Sequence, residues 1–533
     1  QWLAGNDAVG TDANVYLITD ADEGKTITVT ATYTDNDDFS ESVTSTPTAG
    51  VEVPTVVPPQ VGDIVLSGNA LVGDTLTVGV NDVNGIPGAI TYVWSADGMT
   101  ITPTTDTTLV LTAGELGKVI SVNATYTDGD GAAEDLTATA ADKVFTTIVN
   151  NTSELQNALL AEAEGDWIAL APGDYSNVGD VSVDAKGVVL TRTSAAIAAD
   201  DTAINMAAIN GPLCLNVTAS GDDASNGVTI DNLYFNNLAL ADPSLCESAS
   251  SDDYFVHNVA DYFTLKNSTF DGEVDGPSRA AWVHVGGIGA LIERNTFKNK
   301  RADYDGAFVK IDSAQSETIP TNHVIQYNLF SDYSASGKSS AYAMMLGNET
   351  GSKSINMTGN KLRHNLFNNI VVKTRQVKVQ SSGNEIYGNT FANGYGMVSL
   401  ENGQLNTASY NVFIGTNSNK YESGFNVAIY GHTVTHNYFA GLSNGDDSER
   451  AGIVITSNES TSSDSGNFSL TPSAVTIANN TAINGAGPIL FGNKGCDAAL
   501  NATANFSNNL TVNDYTPTTP TELTGAAAQA VDK

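Results

Sequence analysis

The feature that most restricts the fold of this 533-residue chain is a short apolar run closed by Asn-x-Phe. It returns as Asn295-Thr296-Phe297, Asn328-Leu329-Phe330, Asn365-Leu366-Phe367, Asn389-Thr390-Phe391, Asn411-Val412-Phe413 and Asn437-Tyr438-Phe439. Weaker echoes occur at Asn232, Asn267, Asn480 and Asn509. The intervals of 22 to 37 residues are too short for a unit with its own core, so the units must bury their apolar faces against one another. The pattern predicts stacked β-coils, each Phe directed into a continuous core. Each Asn turns a corner, its amide bonded to the equivalent residue one coil away. Such a ladder explains all the asparagines together and leaves no reason to assign them a catalytic role.

Ahead of this region, Ser153 to Ala163 reads as one short amphipathic helix, with Ser153 as N-cap and Leu155, Leu159 and Leu160 on one face. The strand-like Trp167-Ile168-Ala169-Leu170 and the turn Pro172-Gly173-Asp174-Tyr175 follow. A single helix in that place predicts a cap over the open end of the solenoid, which would otherwise expose core and strand edges.

The N-terminal part contains a duplication: Asp22 to Asp35 recurs as Glu115 to Asp128, in both cases alternating apolar and polar residues between turn signals. That alternation predicts antiparallel strands with one buried face. Trp2 and Trp94 hold the same place in each copy, 92 residues apart. The second copy has strand patterns before its Trp, around Ile64-Val65-Leu66 and Leu76-Thr77-Val78, and the first has no counterpart to them, which predicts a sandwich short of two strands. The Gly-Lys-Thr-Ile-Thr-Val and Thr-Tyr-Thr-Asp signatures resemble the immunoglobulin-like modules of large bacterial surface proteins, which implies a spacer role. The Asp clusters Asp35, Asp37, Asp38 and Asp128, Asp130 read as solvated turns or as calcium ligands between modules. The expected organisation is a truncated module over 1–55, a complete one over 56–145, the solenoid over 146–515 and a Thr/Pro/Ala-rich tail over 516–533. An incomplete first sandwich exposes a sheet edge, so self-assembly through that module is also expected.

With 41% hydrophobic residues and 49 Gly against 15 Pro, the chain belongs with folded proteins and not with disordered or collagen-like ones. The 60 acidic and 23 basic residues give a net charge of −37, which argues against nucleic acid or an anionic membrane as main partner. No apolar run of about 18 residues exists, so no membrane insertion is expected. Of the three cysteines, Cys214, Cys246 and Cys496, at most two bridge, and Cys214–Cys246 is the nearer pair. The sequence opens Gln1-Trp2-Leu3, without a targeting segment. High acidity with abundant Thr, Asn, Asp and Gly points to an extracellular or bacterial cell-surface location.

The helix at Ser153-Glu154-Leu155-Gln156-Asn157-Ala158, the following Gly165-Asp166-Trp167-Ile168 and the Asn-x-Phe coils together resemble the parallel β-helix lyases. The segments His323-Val324-Ile325-Gln326-Tyr327-Asn328 and Ser382-Gly383-Asn384-Glu385-Ile386-Tyr387-Gly388-Asn389 narrow the likeness to polysaccharide lyase family 6, the alginate lyases and chondroitinase B. The resemblance implies an all-β, right-handed parallel β-helix over about 146–515. It also implies β-elimination on uronate chains: a cation neutralises the carboxylate, a base removes the proton from C5, and an acid protonates the departing O4.

Carried over position by position, the family's two calcium-binding glutamates become Lys373 and Arg375. Its Lys base becomes Gln380, its Arg becomes Glu401 and its His becomes Asn402, with Gly403 retained. Gln380 cannot take a proton, and Glu401 would repel a uronate. Lys373 and Arg375 would replace calcium as fixed charges, so no cofactor or metal is expected. The base then falls to Lys378, Tyr387 or His432. Twelve of the 23 basic residues lie between Arg294 and Lys378, and stacking coils would line many of them into one positive strip. Lys300, Arg301 and Arg363 join Lys373 and Arg375 there as expected substrate contacts, with Tyr304, Tyr327, Tyr342 and Tyr387 between them. Two readings stand: a protein engaging an anionic, uronate-rich polysaccharide, with or without elimination, and a catalytically inactive structural or adhesive rod in a surface assembly.

Overall fold

The computed structural model describes residues 1–512 except 53–59, 102–105, 197–205, 241–245, 247–252, 275–278, 315, 317, 348–355, 417–421, 429, 443–451, 456–473, 484–488 and 492–504. The expected tail and Cys496 lie outside the described residues. From Thr147 onward the chain is a parallel β-helix. One flank is a 13-stranded parallel sheet of short strands, and the other two flanks merge into a 21-stranded sheet because strands such as Leu366–Val379 run across both. The register repeats coil after coil, with Phe297 opposite Phe330, Phe330 opposite Phe367 and Phe367 opposite Phe391.

The Asn-x-Phe signature acts as its spacing predicts. Eight rings, Phe235, Phe270, Phe297, Phe330, Phe367, Phe391, Phe413 and Phe439, stack at centroid distances of 4.4 to 5.2 Å through the core. At the corner, the side-chain amide of each Asn donates to the side-chain oxygen of the next, from Asn295 through Asn328, Asn365, Asn389, Asn411, Asn437 and Asn480 to Asn509, at 2.9 to 3.1 Å. The second amide proton goes back to a carbonyl of the preceding coil, as from Asn389 to Leu362. A buried Asn is tolerated because its donors and acceptor are engaged. Asn232 and Asn267 fall one residue short of the ladder: both have positive φ, and Ser268 takes the ladder position instead.

A second ladder, unread in the sequence, occupies the corner before the 13-stranded sheet. The Asn384 amide donates to the side-chain oxygen of Asn406, and the His323 backbone donates to Asn360. The helix Thr152–Leu160 caps the N-terminal end, but its N-cap is Asn151, whose side chain accepts from the Glu154 backbone. Leu155 and Leu159 are buried, whereas Leu160 is 84% exposed: five residues on from Leu155 it has turned off the core face.

Two separate antiparallel assemblies precede the solenoid. The second copy packs a four-stranded sheet against a three-stranded one around Trp94, Val122, Ala124 and Leu76. The first copy has a single four-stranded sheet. Its equivalent face is open, with Val15, Leu17 and Ile18 at least half exposed.

Candidate functional site

The third flank of the solenoid carries a column of mostly polar residues in register, each one coil apart, several of them buried. His257 lies opposite His284, His284 opposite Lys310, Lys310 opposite Met345, Met345 opposite Lys378, Lys378 opposite Ser399 and Ser399 opposite Asn426. Two clusters form along it. In the first, the rings of Tyr254, His257 and His284 lie 4.5 to 5.2 Å apart, and Lys310 Nζ stands 3.4 Å from the Tyr254 hydroxyl. His284 contacts Asp312 at 3.1 Å through Nε2 and the Asn258 carbonyl at 3.2 Å through Nδ1. Burial, with the neighbouring His284 adding to it against the pull of Asp312, lowers His257 to about 4, so its ring is neutral at pH 7. Burial pushes the Asp312 carboxyl up, but its bond to His284 and the charges of His284, Lys310 and His257 outweigh that and hold it below its ordinary value.

In the second cluster, Arg375 and Lys378 come from the end of the strand Leu366–Val379 and meet Glu401 from the next coil. The Arg375 guanidinium donates to Glu401 Oε2, which also accepts from Ser399 at 2.9 Å, while Lys378 Nζ is 3.5 Å from Oε1. Lys378 also sits 5.4 Å above the Tyr342 ring. Lys373 is exposed, in the register irregularity between Val371 and Arg375 where two flanks meet. Gly403 is needed here: a Cβ on it would lie 2.0 Å from the Ser381 carbonyl oxygen. A disulfide joins Cys214 to Cys246, and both pack with Tyr254, Ala281, Ala307, Tyr342 and Met345 in a buried patch on this flank.

The expected site residues are thus only partly brought together. Lys373, Arg375 and Lys378 share one coil of the third flank. Tyr387 and Arg363 lie on the 13-stranded sheet, opposite each other in adjacent strands, with Arg363 Nε bonded to Gln326. Tyr387 there meets His364 and Tyr410 edge-on or tilted, so it is not beside Lys378 in the column. His432 is buried: Nδ1 accepts from the Asn406 backbone and Nε2 meets the Ala428 carbonyl at 2.8 Å, so it closes the second ladder where an Asn would stand. It has no free nitrogen with which to take a substrate proton. Lys300 has no exposed side-chain surface and pairs with Glu273 at 3.0 Å beneath Trp282 and Tyr333, which removes it from any substrate surface. Arg301 stacks on Tyr304 at 3.9 Å.

The expected single positive strip is also dispersed. Lys361 and Arg363 face from one sheet, Lys298 pairs with Asp271 on another, and Arg294 pairs with Glu293 at a corner. Loops of unequal length between coils rotate sequence neighbours onto different flanks. The His257–His284 pair had a legible signal, since its 27-residue separation equals that of the ladder residues Ser268 and Asn295.

Lys373 and Arg375, where the family resemblance implies calcium ligands, offer only cationic donors, and Arg375 is engaged by Glu401. This donor set does not fit a cation. Among the described residues no helix is long and apolar enough to cross a membrane.

The family model for chondroitinase B matches residues 149–521, more than half of the chain. Among solved structures, a mannuronic acid specific polysaccharide family 6 lyase from human gut microbiota is 17% identical, with a TM-score of 0.53 over 69% of this chain and 82% of that one. A family 6 polysaccharide lyase of Pseudopedobacter saltans is 19% identical, with a TM-score of 0.51 over 71% of this chain and 88% of that one. A family 6 alginate lyase in complex with a trisaccharide is 18% identical, with a TM-score of 0.50 over 69% and 85%. A search of curated proteins finds no match. The parallel coils, the capping helix and the matched family model agree: the chain belongs to the chondroitinase B family, the parallel β-helix of polysaccharide lyase family 6.

Proposed function

We propose that this protein engages an anionic, uronate-rich polysaccharide of the alginate type on the third flank, at Lys373, Arg375 and Lys378. The observation that carries the reading is that three cations share one coil of a protein whose net charge is −37, with Glu401 the carboxylate set against them. A local positive site on such a background concentrates field on a carboxylate ligand. Guanidinium and ammonium groups replace the cation that elimination chemistry otherwise uses to hold the uronate, so recognition needs no metal in the groove. Next in the column, the buried Ser399 donates to Glu401 at 2.9 Å and accepts from the Asn426 amide at 2.9 Å, so these two residues hold Glu401 in place beneath the cations. The Cys214–Cys246 bridge supports an extracytoplasmic location.

One observation favours turnover as well as binding: Lys378 stands beside Arg375 on this flank with 17% of its side chain exposed. In β-elimination Arg375 would neutralise the carboxylate and deprotonated Lys378 would take the proton from C5, while water would protonate the leaving O4, since Tyr342 is buried with its hydroxyl turned to the Ser339 carbonyl. The Glu401 pairing opposes this, because it favours the protonated amine. Ultraviolet absorbance of the unsaturated uronate, followed with alginate, dermatan sulfate and pectate, decides: product that Lys378→Ala abolishes establishes elimination, and binding without product establishes a carbohydrate-binding member of a lyase family.

A further inference from the structure

The second N-terminal sandwich holds three carboxylates that converge from both of its sheets. Asp82 follows the strand Thr75–Asn81 of the three-stranded sheet. Asp128 and Glu134 flank the turn between the strands Val119–Thr127 and Ala133–Lys143 of the other sheet. One carboxylate oxygen from each lies within 4.8 Å of the other two. Like charges at that range repel, and the described ion pairs give none of the three a Lys or Arg partner.

A second observation is independent of the clustering. Asp128 is 1% exposed. Its Oδ1 accepts from the backbone of Asp130 at 3.0 Å and of Ala132 at 2.7 Å, which fixes the turn. Its Oδ2 is buried without a hydrogen-bond partner. A buried carboxylate oxygen left in that state costs the full desolvation of the group unless something positive meets it.

The loops around it are held in place without using that oxygen. The Gly129 backbone donates to the Gly85 carbonyl at 2.9 Å, and the Asn84 amide donates to Asp130. Approach is so close that a Cβ on Gly129 would fall 1.9 Å from the Asn84 carbonyl oxygen. Asp82 accepts from the Asn84 backbone through Oδ1 and from the Tyr126 hydroxyl through Oδ2.

We propose that Asp82, Asp128 and Glu134 bind one hard divalent cation, calcium by its all-oxygen carboxylate donor set, that pins the two sheets of this sandwich together. The remaining ligands are water and carbonyl oxygens. The site lies inside one module, not between modules. The first copy serves as an internal control. It keeps the equivalents of two ligands, Asp35 and Glu41, at the same 93-residue offset, but among the described residues no strand of its sheet supplies a counterpart of Asp82. Glu41 there accepts from Tyr33 at 2.7 Å instead.

Calcium titration of the whole chain by calorimetry, paired with thermal unfolding in calcium and in chelator, tests the site. The expected result is binding with a Kd of about 10⁻⁵ to 10⁻³ M and a higher unfolding midpoint with calcium. Glu134→Gln and Asp82→Asn each remove one equivalent, whereas Asp35→Asn removes none. Since Asp128→Asn also weakens the turn, the two outer variants carry the test. A folded wild-type chain with no calcium-dependent heat or midpoint shift overturns the proposal. So does stoichiometry unchanged in both outer variants.

Discussion

Arg375 and Glu401 pair across adjacent coils, guanidinium to carboxylate, with Lys378 closing on the other oxygen of Glu401 at 3.5 Å. The family resemblance implies a carboxylate at the first position and an arginine at the second. In this chain the charges at the two positions are exchanged. On the function proposed above, the exchange presents fixed positive charge to the ligand, and Glu401 holds part of that charge in reserve.

Glu401→Gln should therefore tighten binding to polyuronate oligosaccharides, because it releases Arg375 and Lys378 without removing a cation. The gain expected for partly exposed charges is about 1 kcal/mol, or several-fold in Kd. Calorimetry at low ionic strength measures it, and added salt should erase most of it. Weaker binding in the variant would mean that Glu401 positions the cations and does not compete for them.

Lys300 and Glu273 form a pair with essentially no exposed side-chain surface, and Glu273 also accepts from the Trp282 indole at 3.0 Å. Burial lowers the Lys300 pKa, opposed by Glu273. Lys300→Ala leaves a buried charge unpaired and should cost about 3–5 kcal/mol of stability. Polysaccharide retention of the protein that remains folded should not change. Chemical denaturation and column retention, measured on one preparation, separate the two effects.

Acid should destabilise the solenoid through its buried histidines. Burial lowers His323 and His432 to about 4 from an ordinary 6.5. Each is neutral in the fold and protonated in the unfolded chain between those values. Their contribution is therefore complete above pH 6.5 and is lost as pH falls toward 4, at about 1.4 kcal/mol per unit of depression. His432→Asn restores the ladder chemistry of its neighbours without a titrating ring. Its unfolding midpoint should fall less steeply across that window than the wild type does. An identical acid limb would remove His432 from the account.

Interrupting the first ladder should be costly in proportion to the donors it strands. Asn389 accepts from the Asn365 backbone and amide and donates to Leu362 and Asn411. Asn389→Ala leaves buried amides without partners, for an expected loss of about 1–3 kcal/mol per stranded group. Denaturant unfolding measures the total.

What the sequence made legible follows from what repeats. The Asn-x-Phe positions, the capping helix and the Cys214–Cys246 bridge are set by local pattern or by proximity along the chain, and these features of the structure match that pattern. The second ladder escaped notice because Thr321, Asn360, Asn384, Asn406 and His432 share a place in space but no single residue type. The role of His432 escaped for the same reason, since a histidine near the expected site does not reveal that its ring replaces an amide. Lys300 and Arg363 were misplaced by loop length: inserted residues between coils shift which flank a basic residue reaches, and composition has no access to that rotation. Lys373, Arg375 and Lys378, assigned to different roles, fall together because they lie within a single strand.

The central claim is that Lys373, Arg375 and Lys378 bind a polyuronate, and calorimetry of wild type against the triple Ala variant with guluronate and mannuronate oligosaccharides tests it most directly. The account predicts saturable binding to the wild type that weakens with salt, and a loss of at least about tenfold in the variant. Equal affinity in a folded triple variant, or equal affinity of the wild type for a neutral glucan, would contradict it.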